Sequence, residues 1–265
     1  MSDGEQAPGF RDPDGHLPMV ESVGERLLGA LLDRAHLIPP RLVGPLVAQE
    51  ARAAGATAIS IHLQDVGQTE LRPLAGPGLE GELVPIDGSA AGRAFVTDTV
   101  VEEEQADGSV RLQLPMLDGS DRVGVLGITL PHVDDRDRRL AQRLAGLVAD
   151  LVVTKDGYTD TFAQVRTPGP MSLSAHLQWN TLPPLSMTTP DVDLSGILEP
   201  AYEVGGDSFD YALDEHVLHL GVFDAMGHGL AAATMATVVI AAYRHGRAAG
   251  PVSYTHLTLP TILRV

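Results

Sequence analysis

Cysteine is absent from all 265 residues. That excludes a disulfide framework, thiolate catalysis and a zinc knuckle, so any bound metal must be held by oxygen or imidazole. Positive charge is scarce. Lys and Arg number 18 against 35 Asp and Glu, a formal net charge of −17, which argues against electrostatic binding of nucleic acid or of an anionic membrane surface. Long apolar runs are missing too: residues 230–243 form the longest near-continuous one, short of the roughly 20 residues needed to span a bilayer. Met1-Ser2-Asp3-Gly4-Glu5-Gln6 lacks the basic and apolar blocks of a signal peptide, so the expected location is the cytoplasm. The length allows one large domain or two ordinary ones, each with its own core.

What is present changes character along the chain. Residues 1–18 are rich in Gly, Pro and acids, with few apolar residues, and are expected to be a disordered tail. Val20, Val23, Leu27, Leu28, Leu31 and Leu32 recur at helical intervals over 19–37, and a second helix is expected from Leu42 to Ala54. The period then shortens. Strands are expected at 57–63, 71–74, 110–116 and 123–130, with a short helix over 88–95 and an acidic, solvated loop over 102–107. Leu140, Leu144, Leu147, Val148 and Leu151 share one stripe of a helix spanning 134–155. This is a helix-flanked antiparallel sheet of the α+β class. Pro168-Gly169-Pro170 marks 156–170 as a linker, followed by a short helix stopped by Pro183-Pro184 and a strand over 192–202.

The chemistry concentrates in two stretches, Glu203-Val204-Gly205-Gly206-Asp207-Ser208-Phe209-Asp210 and Leu218-His219-Leu220-Gly221-Val222-Phe223-Asp224-Ala225-Met226-Gly227-His228-Gly229. The first reads as a Gly-Gly-Asp turn. In the second, residues 217–223 read as a strand covered on both faces, delivering Asp224 to a glycine turn ahead of an Ala-rich helix over 230–243. Two carboxylates beside glycines suit a hard divalent cation, which prefers oxygen ligands and retains waters. Other roles compete with this one: Asp207 can bond the amides of its own turn, and Asp224 can cap the following helix. Asp210 reads as a structural carboxylate, His228 as a turn residue ahead of a ligand or proton shuttle, and Trp179 as a core residue or a contact with the other domain.

Two family resemblances follow from these residues. The order of helix, strand pair, Gly88-Ser89-Ala90-Ala91-Gly92-Arg93-Ala94-Phe95, Leu114-Pro115-Met116, Val123-Gly124-Val125-Leu126-Gly127-Ile128 and closing helix resembles a GAF sensor domain over 19–155. No Asn-Lys-x-Phe pattern of the cyclic-nucleotide-binding branch is present, so no ligand is implied; a pocketless dimerisation or docking module fits equally.

Leu182-Pro183-Pro184, then 200–210, then Phe223-Asp224-Ala225-Met226-Gly227-His228-Gly229-Leu230-Ala231-Ala232, resemble the opening of a PPM-type, SpoIIE-like protein serine/threonine phosphatase over 171–250. That resemblance implies a partial α/β/β/α sandwich with a two-metal Mn²⁺ or Mg²⁺ site. Asp207 and Asp224 would be its catalytic carboxylates and metal ligands, and Ala225 would give a main-chain carbonyl. An activated water would attack phosphorus in line. The implied partner is a phosphorylated regulatory protein of a bacterial partner-switching pathway, with a homodimer through the GAF-like domain. Residues 251–265 resemble a translated sequencing adapter and are expected to be non-native. Further strands and acidic ligands of the family are then missing, so the expectation is weak metal binding, little turnover, and an uncovered apolar surface on the last helix. The rival reading is a non-catalytic sensor or dimerisation module carrying a remnant phosphatase domain; a third is a metal-dependent hydrolase of other substrates.

Overall fold

A computed structural model describes residues 22–249 except Ser120, Pro200, Val204, Glu215 and His216; the expected tails at 1–18 and 251–265 lie outside the described residues. Helix α1 (Val23–Ala35) opens on a reciprocal cap. The Ser22 hydroxyl accepts from the Glu25 amide at 3.2 Å, and the Glu25 carboxylate accepts from the Ser22 amide at 2.6 Å, so two otherwise unpaired donors are satisfied. A 3-10 turn, Pro40–Leu42, leads into α2 (Val43–Ala53). Strands β1 (Ala58–Gln64), β2 (Glu70–Pro73) and β3 (Val84–Pro85) precede α3 (Ala90–Thr97). Strands β4 (Val101–Glu104), β5 (Val110–Asp118) and β6 (Asp121–Leu130) precede α4 (Asp135–Asp156). Asp134, where the sequence places the start of the helix over 134–155, is the N-cap of α4, in a second reciprocal cap with Asp137.

The six strands pair antiparallel in the order β3-β2-β1-β6-β5-β4. Ile59, Ile61 and Leu63 of β1 alternate into the main core beside Leu112, Leu114 and Met116 of β5, against Leu31 of α1, Val47 of α2 and Leu144 and Val148 of α4. Ser60, His62 and Gln64 take the other face and are buried as well. The glycines of the Gly124-Val125-Leu126-Gly127 strand are there for space. A Cβ on residue 124 would overlap the His62 carbonyl oxygen, and one on residue 127 would overlap the Arg111 guanidinium. That guanidinium donates to the Ser60 hydroxyl and, at 3.1 Å, to Thr129 Oγ1. Burial lowers the basicity of both His62 and Arg111.

The remaining elements are α5 (Thr161–Arg166), α6 (Leu173–Trp179), a hairpin of β7 (Ser186–Thr188) and β8 (Asp193–Ser195), a hairpin of β9 (Gly205–Leu213) and β10 (Leu218–His228), and α7 (Gly229–Ala248). Helix α7 lies on one face of β9 and β10, and α6 packs against it. Asp210, 1% exposed, anchors this layer. It accepts from Arg244 Nε at 3.0 Å, Arg244 Nη2 at 2.6 Å and Arg247 Nη1 at 2.8 Å. Among the described residues no helix is long and apolar enough to cross a membrane.

Four sequence expectations are corrected. The acidic stretch after residue 101 begins as strand β4, because an edge strand tolerates charge: Glu102 pairs with Arg138 at 2.6 Å and Glu103 accepts from Gln113 at 3.1 Å. The 156–170 linker contains α5, whose Phe162 is fully buried in the main core. The strand expected over 192–202 shrinks to the three residues of β8. The strand expected to be covered on both faces is covered on one: Val222 is 80% exposed and Leu220 58%. The last helix does expose Leu230, Met235 and Val238 while burying Ala232, Ala233, Ala236 and Ile240.

Removing a fully buried aromatic leaves a cavity, so Phe162→Ala should destabilise the chain by about 3–5 kcal/mol. The urea midpoint should fall accordingly; an unchanged midpoint would show that α5 is no part of the core.

Candidate metal centre

The β9–β10 register decides which predicted residues meet. Leu218 pairs with Leu213, Leu220 with Tyr211, Val222 with Phe209 and Asp224 with Asp207. Directly opposite residues on one sheet face have Cβ atoms about 4.5–5.5 Å apart, so two carboxylates in that position can reach one cation. Both Asp207 and Asp224 are exposed. Neither carboxylate makes a hydrogen bond or ion pair with another described residue. Like charges facing each other across a ladder destabilise it unless something neutralises them.

Beyond the pair the ladder breaks. Pairing resumes at His228 and Gly205, so Ala225, Met226 and Gly227 bulge out opposite Gly206 alone. A Cβ on residue 206 would overlap the Ala225 carbonyl oxygen; only glycine admits this approach. Consecutive strand residues project to opposite faces. The Ala225 carbonyl therefore stands on the side a residue-206 side chain would take, and the Asp207 carboxylate on the other. Gly227 and Gly229 have φ of +91° and +74°, left-handed values that side chains adopt with strain.

Gly205, Gly206 and Asp207 lie within strand β9, not in a turn, and the Asp207 side chain does not bond its own amides. Asp224 does not cap α7: the N-cap is His228, which is exposed and gives no side-chain cap bond. Asp210 is the structural carboxylate described above. Trp179 packs with Ala175 and Leu198, its indole N–H donating to the Ala201 carbonyl at 2.8 Å.

Sequence reasoning missed the residues that hold the pair. Gln178 of α6 donates its side-chain amide to the Asp207 carbonyl oxygen. Arg244 also donates to the Thr181 carbonyl at 2.8 Å, tying α7 to the end of α6. Tyr211 donates to the Pro184 carbonyl at 2.8 Å, and burial is the main cause that pushes its hydroxyl up to about 12. The spacing of Arg244 and Arg247, three apart on one helix face opposite an Asp on a strand, is a signal that was available. Among the described residues no group of three or more His, Asp or Glu side chains is placed to hold a metal ion.

No protein-family model and no curated protein matches the chain. Solved structures similar to it include the GAF domain from an Acinetobacter phosphoenolpyruvate-protein phosphotransferase, at 12% identity and TM-score 0.44, covering 51% of this chain and 96% of that one. A second is the GAF domain of the Coxiella burnetii phosphoenolpyruvate-protein phosphotransferase, at 14% identity and TM-score 0.44, covering 51% and 98%. A third is the GAF-B domain of DevS from Mycobacterium smegmatis, at 20% identity and TM-score 0.39, covering 45% and 96%. These likenesses to GAF domains cover about half of the chain.

Removing one of two facing charges should relieve the ladder. In the presence of a chelator, Asp224→Asn should raise the stability of the chain by about 0.2–1 kcal/mol, read from urea denaturation; a clear loss of stability would show that Asp224 has a structural partner.

Proposed function

We propose that the chain joins a GAF-like sensor to part of a PPM-type metal-dependent phosphatase acting on phosphoserine or phosphothreonine of a regulatory protein. The observation that supports this reading is the Asp207–Asp224 pair: two exposed, unpartnered carboxylates placed face to face by strand register, next to a glycine bulge. A Mn²⁺ or Mg²⁺ pair would supply Lewis acidity for water activation and charge stabilisation at phosphorus. The residues fit a hard cation in kind, since the chain offers only oxygen donors there. Asp207 and Asp224 would hold it; the Ala225 carbonyl, which the resemblance also implies as a ligand, faces the other side of the ladder and does not join them in this arrangement. The strand backbone fixes both carboxylates: Asp207 through its carbonyl bond to Gln178, and Asp224 through the ladder.

The open half of β10, with Leu220 and Val222 exposed, is a face that further strands of a sandwich would cover. A non-catalytic sensor is the second reading, and one observation favours it: no third acidic or histidine ligand joins the pair among the described residues.

Phosphate release from phosphoserine and phosphothreonine peptides separates the two. It should be measured with Mn²⁺ on this chain and on a version carrying the further acidic strands implied beyond residue 250. The phosphatase reading expects weak release from the first, ready release from the second, and a loss of at least about a hundredfold with Asp207→Asn. Release indifferent to Mn²⁺ or to that substitution would contradict the metal-dependent phosphatase reading, and none from the longer version would favour the non-catalytic one.

A further inference from the structure

Away from the carboxylate pair, a cleft of about 370 Å³ opens between the six-stranded sheet and helix α6. Its charged and aromatic lining comes from four elements and one connection: Asp121 at the start of β6, Asp156 at the end of α4, Arg166 at the end of α5, and His176 and Trp179 of α6, with Leu182 after it. The guanidinium is held in place. Phe162 roots α5 in the core, the Arg166 carbonyl accepts from the Val66 amide at 2.9 Å, and Arg166 Nε donates to the Gln64 carbonyl at 3.1 Å. Asp121 Oδ1 accepts from the Ser186 hydroxyl at 3.1 Å. Asp156 Oδ1 is buried and has no hydrogen-bond partner.

Two features of this lining are unsatisfied. A buried carboxylate oxygen without a donor is costly to leave unmet. Asp121 and Asp156 set against Arg166, with no other Arg or Lys in the lining, leave the cleft one negative charge in excess when His176 is neutral. Burial raises both carboxyls above their ordinary values, opposed at Asp121 by the Ser186 hydroxyl and then Arg166, and at Asp156 by Arg166. The rest of the wall is mixed, with Trp179, Leu182 and Pro183 offering an apolar side and Gln64, Thr167 and Asn180 a polar one.

We propose that this cleft binds a small organic monocation with an apolar body, an aryl- or alkylammonium, whose N–H groups meet Asp156 and Asp121 while the body lies against Trp179 and Leu182. The ammonium supplies the missing donors and the missing charge, and an aromatic wall favours a cation further. Because the lining joins the sheet to α6, and α6 holds the Asp207 carbonyl through Gln178, occupancy would bias the position of the β9–β10 layer. The binding claim stands independently of the phosphatase reading.

Trp179 is the only tryptophan in the chain, so its fluorescence reports on this cleft directly. Benzylammonium, benzyl alcohol and benzoate have similar bodies and differ in charge. Titrated into the 265-residue chain, benzylammonium should give a saturable change, benzyl alcohol a far weaker one and benzoate none. Asp156→Asn should weaken the benzylammonium response by roughly tenfold or more. Absence of a saturable change, an equal response to benzyl alcohol or benzoate, or an unaltered curve for Asp156→Asn would overturn the proposal. Where Asp156→Asn loses the native circular dichroism spectrum, Asp121→Asn carries the comparison under the same criterion.

Discussion

Asp210 is a carboxylate with 1% exposure held by two arginines of the next helix but for one hairpin strand, and the C-terminal layer depends on that contact. Taking a charge out of water is expensive, and a buried ion pair repays it only with good geometry and saturated hydrogen bonds. Here the geometry is good: both carboxylate oxygens are used, one by Arg244 and one by Arg247. Without it the carboxylate would be buried and unpaired, which is among the more destabilising states a side chain can take. With it, α7 is fixed across β9, and Arg244 reaches on to the Thr181 carbonyl to bring in α6. The contact also sets polarity. Ser208 and Asp210 face the helix, so alternation sends Asp207 to the other face, where Asp224 meets it.

The same alternation exposes a cost. A two-stranded ribbon has little independent stability, and this one is supported from one side by α7. On the other side the β7–β8 hairpin reaches β9: a Cβ on Gly196 would meet the Phe209 ring, and Tyr211 bonds the Pro184 and Ser186 carbonyls. The β10 half has no comparable cover, and Leu220 and Val222 stand exposed. The carboxylate pair therefore sits at the end of an apolar strip, a placement in which a bound cation and a covering layer would each stabilise the other's surroundings. The sheet of the N-terminal half solves the analogous problem differently: both faces of β1 are buried, and polar Ser60 and His62 are accommodated through Arg111 and the Glu82 carbonyl, the latter 3.0 Å from His62 Nε2.

Helical stripes and caps made the N-terminal half readable. The periods of α1, α2 and α4 and the strand pairs β1–β2 and β5–β6 are local properties, and local properties survive in the sequence. The acidic strand β4 was hidden because its stability comes from β5 and from Arg138, both distant in the chain. Phe162 was hidden because a single aromatic among polar residues carries no period, although it fills the core. In the C-terminal half the two aspartates stood out by their glycines, but their register did not, since cross-strand partnership is set by the whole hairpin. Nor could burial on one face of β10 be told from burial on two, because Leu218, Leu220 and Val222 alternate with His219, Gly221 and Phe223 and both sets contain apolar residues. The cleft beside Trp179 depends on four elements and one connection and has no sequence pattern.

The central proposal is that Asp207 and Asp224, set opposite each other by strand register, bind a divalent cation. Electron paramagnetic resonance of Mn²⁺ titrated into the 265-residue chain tests it most directly, since bound Mn²⁺ loses the six-line signal of the free ion. The account predicts loss of that signal on adding protein, abolished by Asp207→Asn or by Asp224→Asn and retained in Asp150→Asn, an acidic residue of α4 remote from the hairpin in sequence. Binding that survives both hairpin substitutions, or no binding at all, would contradict it.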